Sequence, residues 1–193
     1  MGPRPLFAGL VAGLVLGAAA AAPQARADDV EASLNAALEA YRAGDIATAR
    51  EETAFAATLL DQLKAEDLGA FLPEPLDGWT REEGDGGGMA GAMFGGGLVS
   101  QATYAGAGAT VEITLAADGP MVTAMASMFG NAMALSAMGK VSRIGKHKAV
   151  TDEDGEIRAL IGGRVLVSVG GDADAETKKA YFEAIDLDAL AEF

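Results

Sequence analysis

The spacing of apolar positions changes along the chain, and each change marks an element. Leu6 to Ala22 is a charge-free run dominated by Leu, Val, Ala and Gly. Beyond Asp28 the spacing is helical: Leu34, Leu38 and Tyr41 stand at i, i+4 and i+7, on one face of a helix. Gly44-Asp45 interrupts it, and Asp45 is placed to cap a second helix by accepting from its free N–H groups. In that second helix Ile46, Ala49, Thr53, Ala56 and Leu60 share a face, with Phe55, Leu59 and Leu63 beside it. An antiparallel helical hairpin over 28–72 follows, its many alanines permitting close approach. Leu72-Pro73-Glu74-Pro75-Leu76-Asp77-Gly78-Trp79 then stops helix formation and turns the chain.

After Trp79 the period becomes two. Trp79 opens a strand, and Leu98 to Tyr104 and Thr110 to Ala116 are strands. Val111, Ile113 and Leu115 point one way, and Thr110, Glu112 and Thr114 the other. Asp118-Gly119-Pro120 starts a helix that runs to about Met138, with proline where its missing N–H costs nothing. Gly139 ends it. Val141 to Val150 reads as one strand, and Glu156 to Ile161 pairs with Arg164 to Val169 across the turn signal Gly162-Gly163. Asp174 caps a last helix, Ala175 to about Ile185, and a short Leu187 to Leu190 piece closes the chain. The order β-β-β-α-β-β-β-α predicts an α+β fold: the hairpin, then an antiparallel sheet whose two helices are expected on one face.

The first apolar run carries a functional statement. Arg4 precedes it, and Pro23-Gln24-Ala25-Arg26-Ala27 follows it with small residues at −3 and −1 of a cut after Ala27. That is the three-part design of a secretory signal. The run is short and rich in Gly and Ala for a permanent bilayer span. The expected division is a cleaved signal over 1–27, the hairpin over 28–72 and a sheet domain over 73–193. The expected location is the periplasm, with secretion or anchoring by an uncleaved signal as alternatives, and no membrane span remains after cleavage.

Composition narrows the chemistry. The 193 residues carry a net charge of −14, no cysteine and a single histidine. Zero cysteine excludes disulfides, a cysteine zinc site and a thiol nucleophile. The acidic balance argues against nucleic acid as partner. No Gly-x-Ser-x-Gly or His-Glu-x-x-His pattern is present, and no cofactor is implied.

Two stretches lack charge altogether, 86–111 and 119–139, and they hold seven of the eight methionines. Met121, Met125 and Met128 form one stripe of the middle helix, and Met133 continues roughly the same side, with Phe129 adjacent. Methionine is an adaptable core filler, so the stripe reads first as core against the sheet. An exposed Met-rich patch instead suits an apolar partner or ligand. The third reading is Cu(I) held by the thioethers of Met121, Met125 and Met128, since soft sulfur suits that ion. The loop Gly86 to Gly97 has no lysine and is followed by a strand, which removes the context for phosphate binding.

Lys140, Arg143, Lys146, His147 and Lys148 form a basic cluster. On one strand, Arg143 and His147 would share a face, with Lys146 and Lys148 on the other and His147 solvated. The neighbouring Asp152, Glu153, Asp154 and Glu156 would balance these charges across a hairpin. Asp172-Ala-Asp174-Ala-Glu176 superficially matches a calcium loop but lacks its glycine, and reads as a helix cap. A carboxylate-pair hydrolase stays open, because 28 acidic residues offer many pairs and none is singled out.

Tyr41-Arg42-Ala43-Gly44-Asp45-Ile46-Ala47-Thr48-Ala49, followed by Ala56, resembles the turn and second helix of one tetratricopeptide repeat. The first helix has Ala36-Ala37 where such repeats carry a Leu-Gly pair. The element order after Leu72-Pro73 and Gly78-Trp79 resembles the PsbP/Mog1-like α/β/α sandwich, which implies an accessory or adapter role and transfers no catalytic residue. The whole layout is similar to exported proteobacterial proteins with an Ala-rich hairpin and a Gly-Trp strand domain. Taken together, the sequence predicts a non-enzymatic exported binding or accessory protein. Its expected contact surface is the hairpin with Met121, Met125, Met128, Phe129 and Met133, and its expected partner is a periplasmic protein or an apolar ligand.

Overall fold

The structure is a computed structural model that describes residues 22–84 and 97–193. The apolar run Leu6 to Ala21 and the glycine-rich loop up to Gly96, with Met89 and Met93, lie outside the described residues. The chain forms α1 (Ala22–Arg42) and α2 (Ile46–Gly69), then β1 (Trp79–Glu83), β2 (Leu98–Gly106) and β3 (Ala109–Ala117). Next come α3 (Pro120–Phe129), α4 (Ala132–Met138), β4 (Lys140–Ile144), β5 (His147–Thr151), β6 (Ile157–Ile161) and β7 (Val165–Gly170). Helices α5 (Ala175–Ala184) and α6 (Leu187–Leu190) end it. The α+β architecture with an N-terminal helical hairpin is therefore present, and α1 begins ahead of the expected cut after Ala27.

Among the described residues, seven strands form one antiparallel sheet in the order β1-β2-β3-β7-β6-β5-β4. The predicted alternation on β3 holds: Val111, Ile113 and Leu115 are fully buried and Glu112 is exposed. Local chemistry sets the helix starts. Asp45 accepts from Thr48 N–H at 3.1 Å, and Asp174 accepts from Thr177 N–H at 2.9 Å. The β6–β7 turn at Gly162-Gly163 is closed by Arg164 N–H donating to the Ile161 carbonyl at 3.0 Å.

Most of the core lies on one face of the sheet. There Tyr104, Ile113, Leu115 and Ile161 meet Tyr181 and Phe182 of α5, Leu190 of α6, and Leu68 at the end of α2. A β-carbon at Gly69 would lie 2.8 Å from Ser100 Oγ, so α2 seats directly on β2. Trp79 and Tyr104 both stack against Tyr181, with centroids at 5.6 and 4.5 Å. The Tyr104 hydroxyl donates to the Pro73 carbonyl at 2.6 Å, and burial pushes its pKa up to about 12.

Several expectations need correction. The two helical segments lie on opposite faces, not one. On the second face Val122 of α3 packs on Val99, Ala116 and Leu166. The cause is visible in β3 and β7, where Leu115-Ala116-Ala117 and Val165-Leu166-Val167 are apolar on both sides. The middle helix is two helices, α3 and α4, bent by 109° at Gly130-Asn131. Asn131 ends the first and caps the second, accepting from Met133 and Ala134 N–H. The strand expected over 141–150 is a hairpin, β4 and β5, because Gly145 adopts φ 60° and turns the chain. Arg143 therefore pairs across with Lys148, while His147 pairs with Ile144 on the opposite face.

Candidate functional site

Most of the exposed large apolar side chains among the described residues lie on the hairpin and the α3–α4 corner. In the hairpin, α1 and α2 meet along a narrow seam of mostly small residues. Val30, Ser33 and Ala37 are buried on α1, and Ala49, Ala56 and Leu59 on α2. Their spacing of three, four and seven gives one stripe per helix. Small side chains bring the axes close, and so leave the flanking large residues outside. Leu34 (48%), Leu38 (45%), Tyr41 (65%), Ile46 (53%) and Leu60 (48%) are all exposed, as is Phe55. The predicted face Leu34, Leu38, Tyr41 is thus real as a stripe, but it points to solvent. Of the predicted α2 face, only Ala49 and Ala56 are buried.

The α3–α4 corner carries no charged side chain. Thr123 and Ser127 donate to the Gly119 and Thr123 carbonyls one turn back, which spends their polarity within the helix. Val122 is buried, with Met125 and Phe129 partly buried against the same small cluster. Met121 (42%) and Met128 (37%) lie on the rim, and Met133 on α4 is 83% exposed. Of the five predicted contact residues, three therefore face solvent and two face the sheet. The bend at Gly130-Asn131 takes Met133 onto a separate helix from the Met121–Met128 stripe. The end of the glycine-rich loop also sits here: Gly97, at φ 103°, is so close to Gly119 that a β-carbon would lie 2.7 Å from its Cα. Only glycine satisfies both the conformation and the contact.

Asp118 joins the parts. Arg164 of the β6–β7 turn grips its carboxylate through two 2.9 Å contacts, and Lys64 of α2 lies 3.8 Å away. The Lys64 ammonium also sits 5.6 Å from the centroid of the Phe193 ring, and Phe193 stacks edge-on with Phe71. These contacts tie the C-terminal part of α2 to the sheet body.

The basic cluster is balanced by a different partner than expected. Asp188 Oδ1 accepts from Lys146 at 2.6 Å and lies 3.3 Å from His147 Nε2, whose side chain is largely enclosed rather than solvated. The Lys146 bond first, and His147 second, hold the Asp188 carboxyl below the usual carboxylate range. The acidic turn instead serves Arg158, which contacts Asp152 at 3.0 Å and Glu156 by two bonds. Around His147 lies a shallow open groove of about 360 Å³, lined by Ile144, Glu183, Ile185 and Asp186 among others. Among the described residues, no Ser, Thr or Tyr lines it.

Asp172 bonds Thr110 N–H and its hydroxyl, and Asp174 caps α5, so the calcium-like run is used for structure. The carboxylates with displaced pKa values, Asp45, Asp172, Asp174 and Asp188, are all lowered by hydrogen bonds. A general acid needs the opposite shift. Among the described residues no group of His, Asp and Glu side chains could hold a metal ion, and no single helix is long and apolar enough to cross a membrane. The chain matches no family model, and no curated protein or solved structure matches it.

Proposed function

We propose that this chain is a non-enzymatic exported binding or accessory protein, located in the periplasm after removal of residues 1–27. One observation carries the reading: the chain encloses small residues in the hairpin seam and leaves Leu34, Leu38, Tyr41, Ile46 and Leu60 exposed. Large apolar residues held outward on paired helices favour contact with another apolar surface. The charge-free corner of Met121, Met128 and Met133 adds a second surface, whose flexible thioethers adapt to a partner's shape.

A photo-crosslinking residue at Met133, with the protein produced behind its own leader, tests this reading. A discrete adduct that disappears in Met121→Glu or Met128→Glu supports it. Correct export without any adduct speaks against it. N-terminal sequencing of the exported protein tests the leader, with Asp28 expected first.

Cu(I) binding is the second reading, favoured by Met121 and Met128 standing exposed on the same side of α3. Met125 between them packs toward the sheet, so it would have to turn outward to join them. Competition with a chromogenic Cu(I) chelator, beside a Met121/Met125/Met128→Leu variant, decides it.

A further inference from the structure

We infer that the exposed apolar face of the hairpin binds a second copy of this chain, with two hairpins packed face to face and running antiparallel. This rests on reading that face as a contact surface, and it names the occupant. At about 100° per residue, Leu34, Leu38 and Tyr41 fall within roughly 60° of one another, and Ile46 and Leu60 within roughly 40°. In an antiparallel helix pair both stripes lie on the same side of the seam. Thr53 and Ala57 fall between Ile46 and Leu60, so the face is continuous. Phe55 lies about 140° from Leu60, on the other side of the seam.

The charges on this face select a copy of itself as partner. Arg42 and Arg50 border the face at the loop end, while Glu31 and Asp61 border it at the opposite end. Among the described residues none of these four has an ion-pair partner. The surplus acids Glu39 and Glu51 lie about 140° from Leu34 and Ile46, away from the face. Lys64 also lies on this stripe, one turn beyond Leu60, but it is tied to Asp118. The charges left without a partner are thus two arginines at one end and two acids at the other. An antiparallel copy brings each basic end to the partner's acidic end, twice, as a two-fold axis requires. A parallel copy would set arginines against arginines. Two helices side by side present a face about 20 Å wide and about 25 Å long, or about 500 Å² per partner. The resulting total of about 1,000 Å² is the lower limit for a specific interface and suits a reversible dimer.

Sedimentation equilibrium on the full chain, produced with its own leader, tests the inference. The expected result is a reversible dimer weakened by added salt. Leu38→Glu buries a charge in the interface and should raise the dissociation constant by roughly a hundredfold, while Phe55→Glu leaves it unchanged. Arg50→Glu should weaken the dimer, and adding Asp61→Arg to it should restore association by exchanging both ends of the pair. Melting curves of each variant confirm folding. A monomer at every concentration overturns the inference. So does a dimer indifferent to both Leu38→Glu and Arg50→Glu, which would place association elsewhere, for example at the edge strands β1 or β4. Either result leaves the Met133 crosslinking test standing, so failure of the self-association is separable from failure of the binding role.

Discussion

The sheet body and the helical hairpin use their apolar residues in opposite ways. In the body the large side chains go inward: Tyr104, Ile113, Leu115, Tyr181 and Phe182 are fully enclosed. In the seam of the hairpin the enclosed residues are mainly small, Ser33, Ala37, Ala49 and Ala56, while Leu34, Leu38, Tyr41 and Ile46 remain outside. Hydrophobic periodicity is present in both regions, yet it marks core in one and surface in the other. A helix packed through alanines has a stripe too narrow to hide its flanking leucines.

Substitutions can break this contrast, starting where the body is tightest. Phe182→Ala should destabilise the chain by about 3–5 kcal/mol, read by chemical denaturation, because a fully buried ring leaves a cavity. Ala56→Leu tests the hairpin's own logic. Ala56 is 1% exposed, so a larger side chain forces the helices apart and should cost about 1–3 kcal/mol, with exchange of α1 amides accelerated first. Leu38→Ala should change monomer stability by no more than about 0.5 kcal/mol, since the side chain is 45% exposed. A large loss there would show that the hairpin face is already covered within the monomer.

The smallest effect is acid sensitivity, and it separates the regions by location. Asp45 in the hairpin, and Asp172, Asp174 and Asp188 in the body, have carboxyls held below their ordinary value by hydrogen bonds. A lowered folded pKa contributes stability that is complete above the unfolded value near 3.8, and that disappears as pH falls through the folded value. The melting temperature should therefore be flat with respect to these groups at neutral pH and fall below about pH 4. Asp172→Asn keeps an acceptor for Thr110 but cannot titrate, so it should shallow that acid limb.

Element types were legible in the sequence because their signals are local. Asp45, Asp174 and Gly119-Pro120 mark helix starts, Gly162-Gly163 marks a turn, and Val111-Ile113-Leu115 marks a strand face. What could not be read is set by contacts between distant residues. The break at Gly130-Asn131 hides inside an uninterrupted apolar run, since Asn131 reads as a helix residue until its capping role is known. Gly145-Lys146 hides inside a basic run that masks a two-residue turn. The placement of helices on both sheet faces depends on Ala116 and Leu166, which look like lapses of alternation in their own strands. Asp188 as the partner of Lys146 and His147 lies 41 residues from the histidine, beyond any local pattern. The exposed apolar stripes were half legible: their spacing was visible, but their direction depended on which residues the seam selects.

The absence of cysteine gives a clean background for a single measurement on the central claim. Leu38→Cys lies near the middle of the hairpin face, and Phe55→Cys lies across the seam from it. Under mild oxidation, face-to-face antiparallel pairing predicts a disulfide-linked dimer from Leu38→Cys and none from Phe55→Cys, because bridging needs Cα atoms within about 7 Å. Equal crosslinking at both positions, or none at either, would contradict the account.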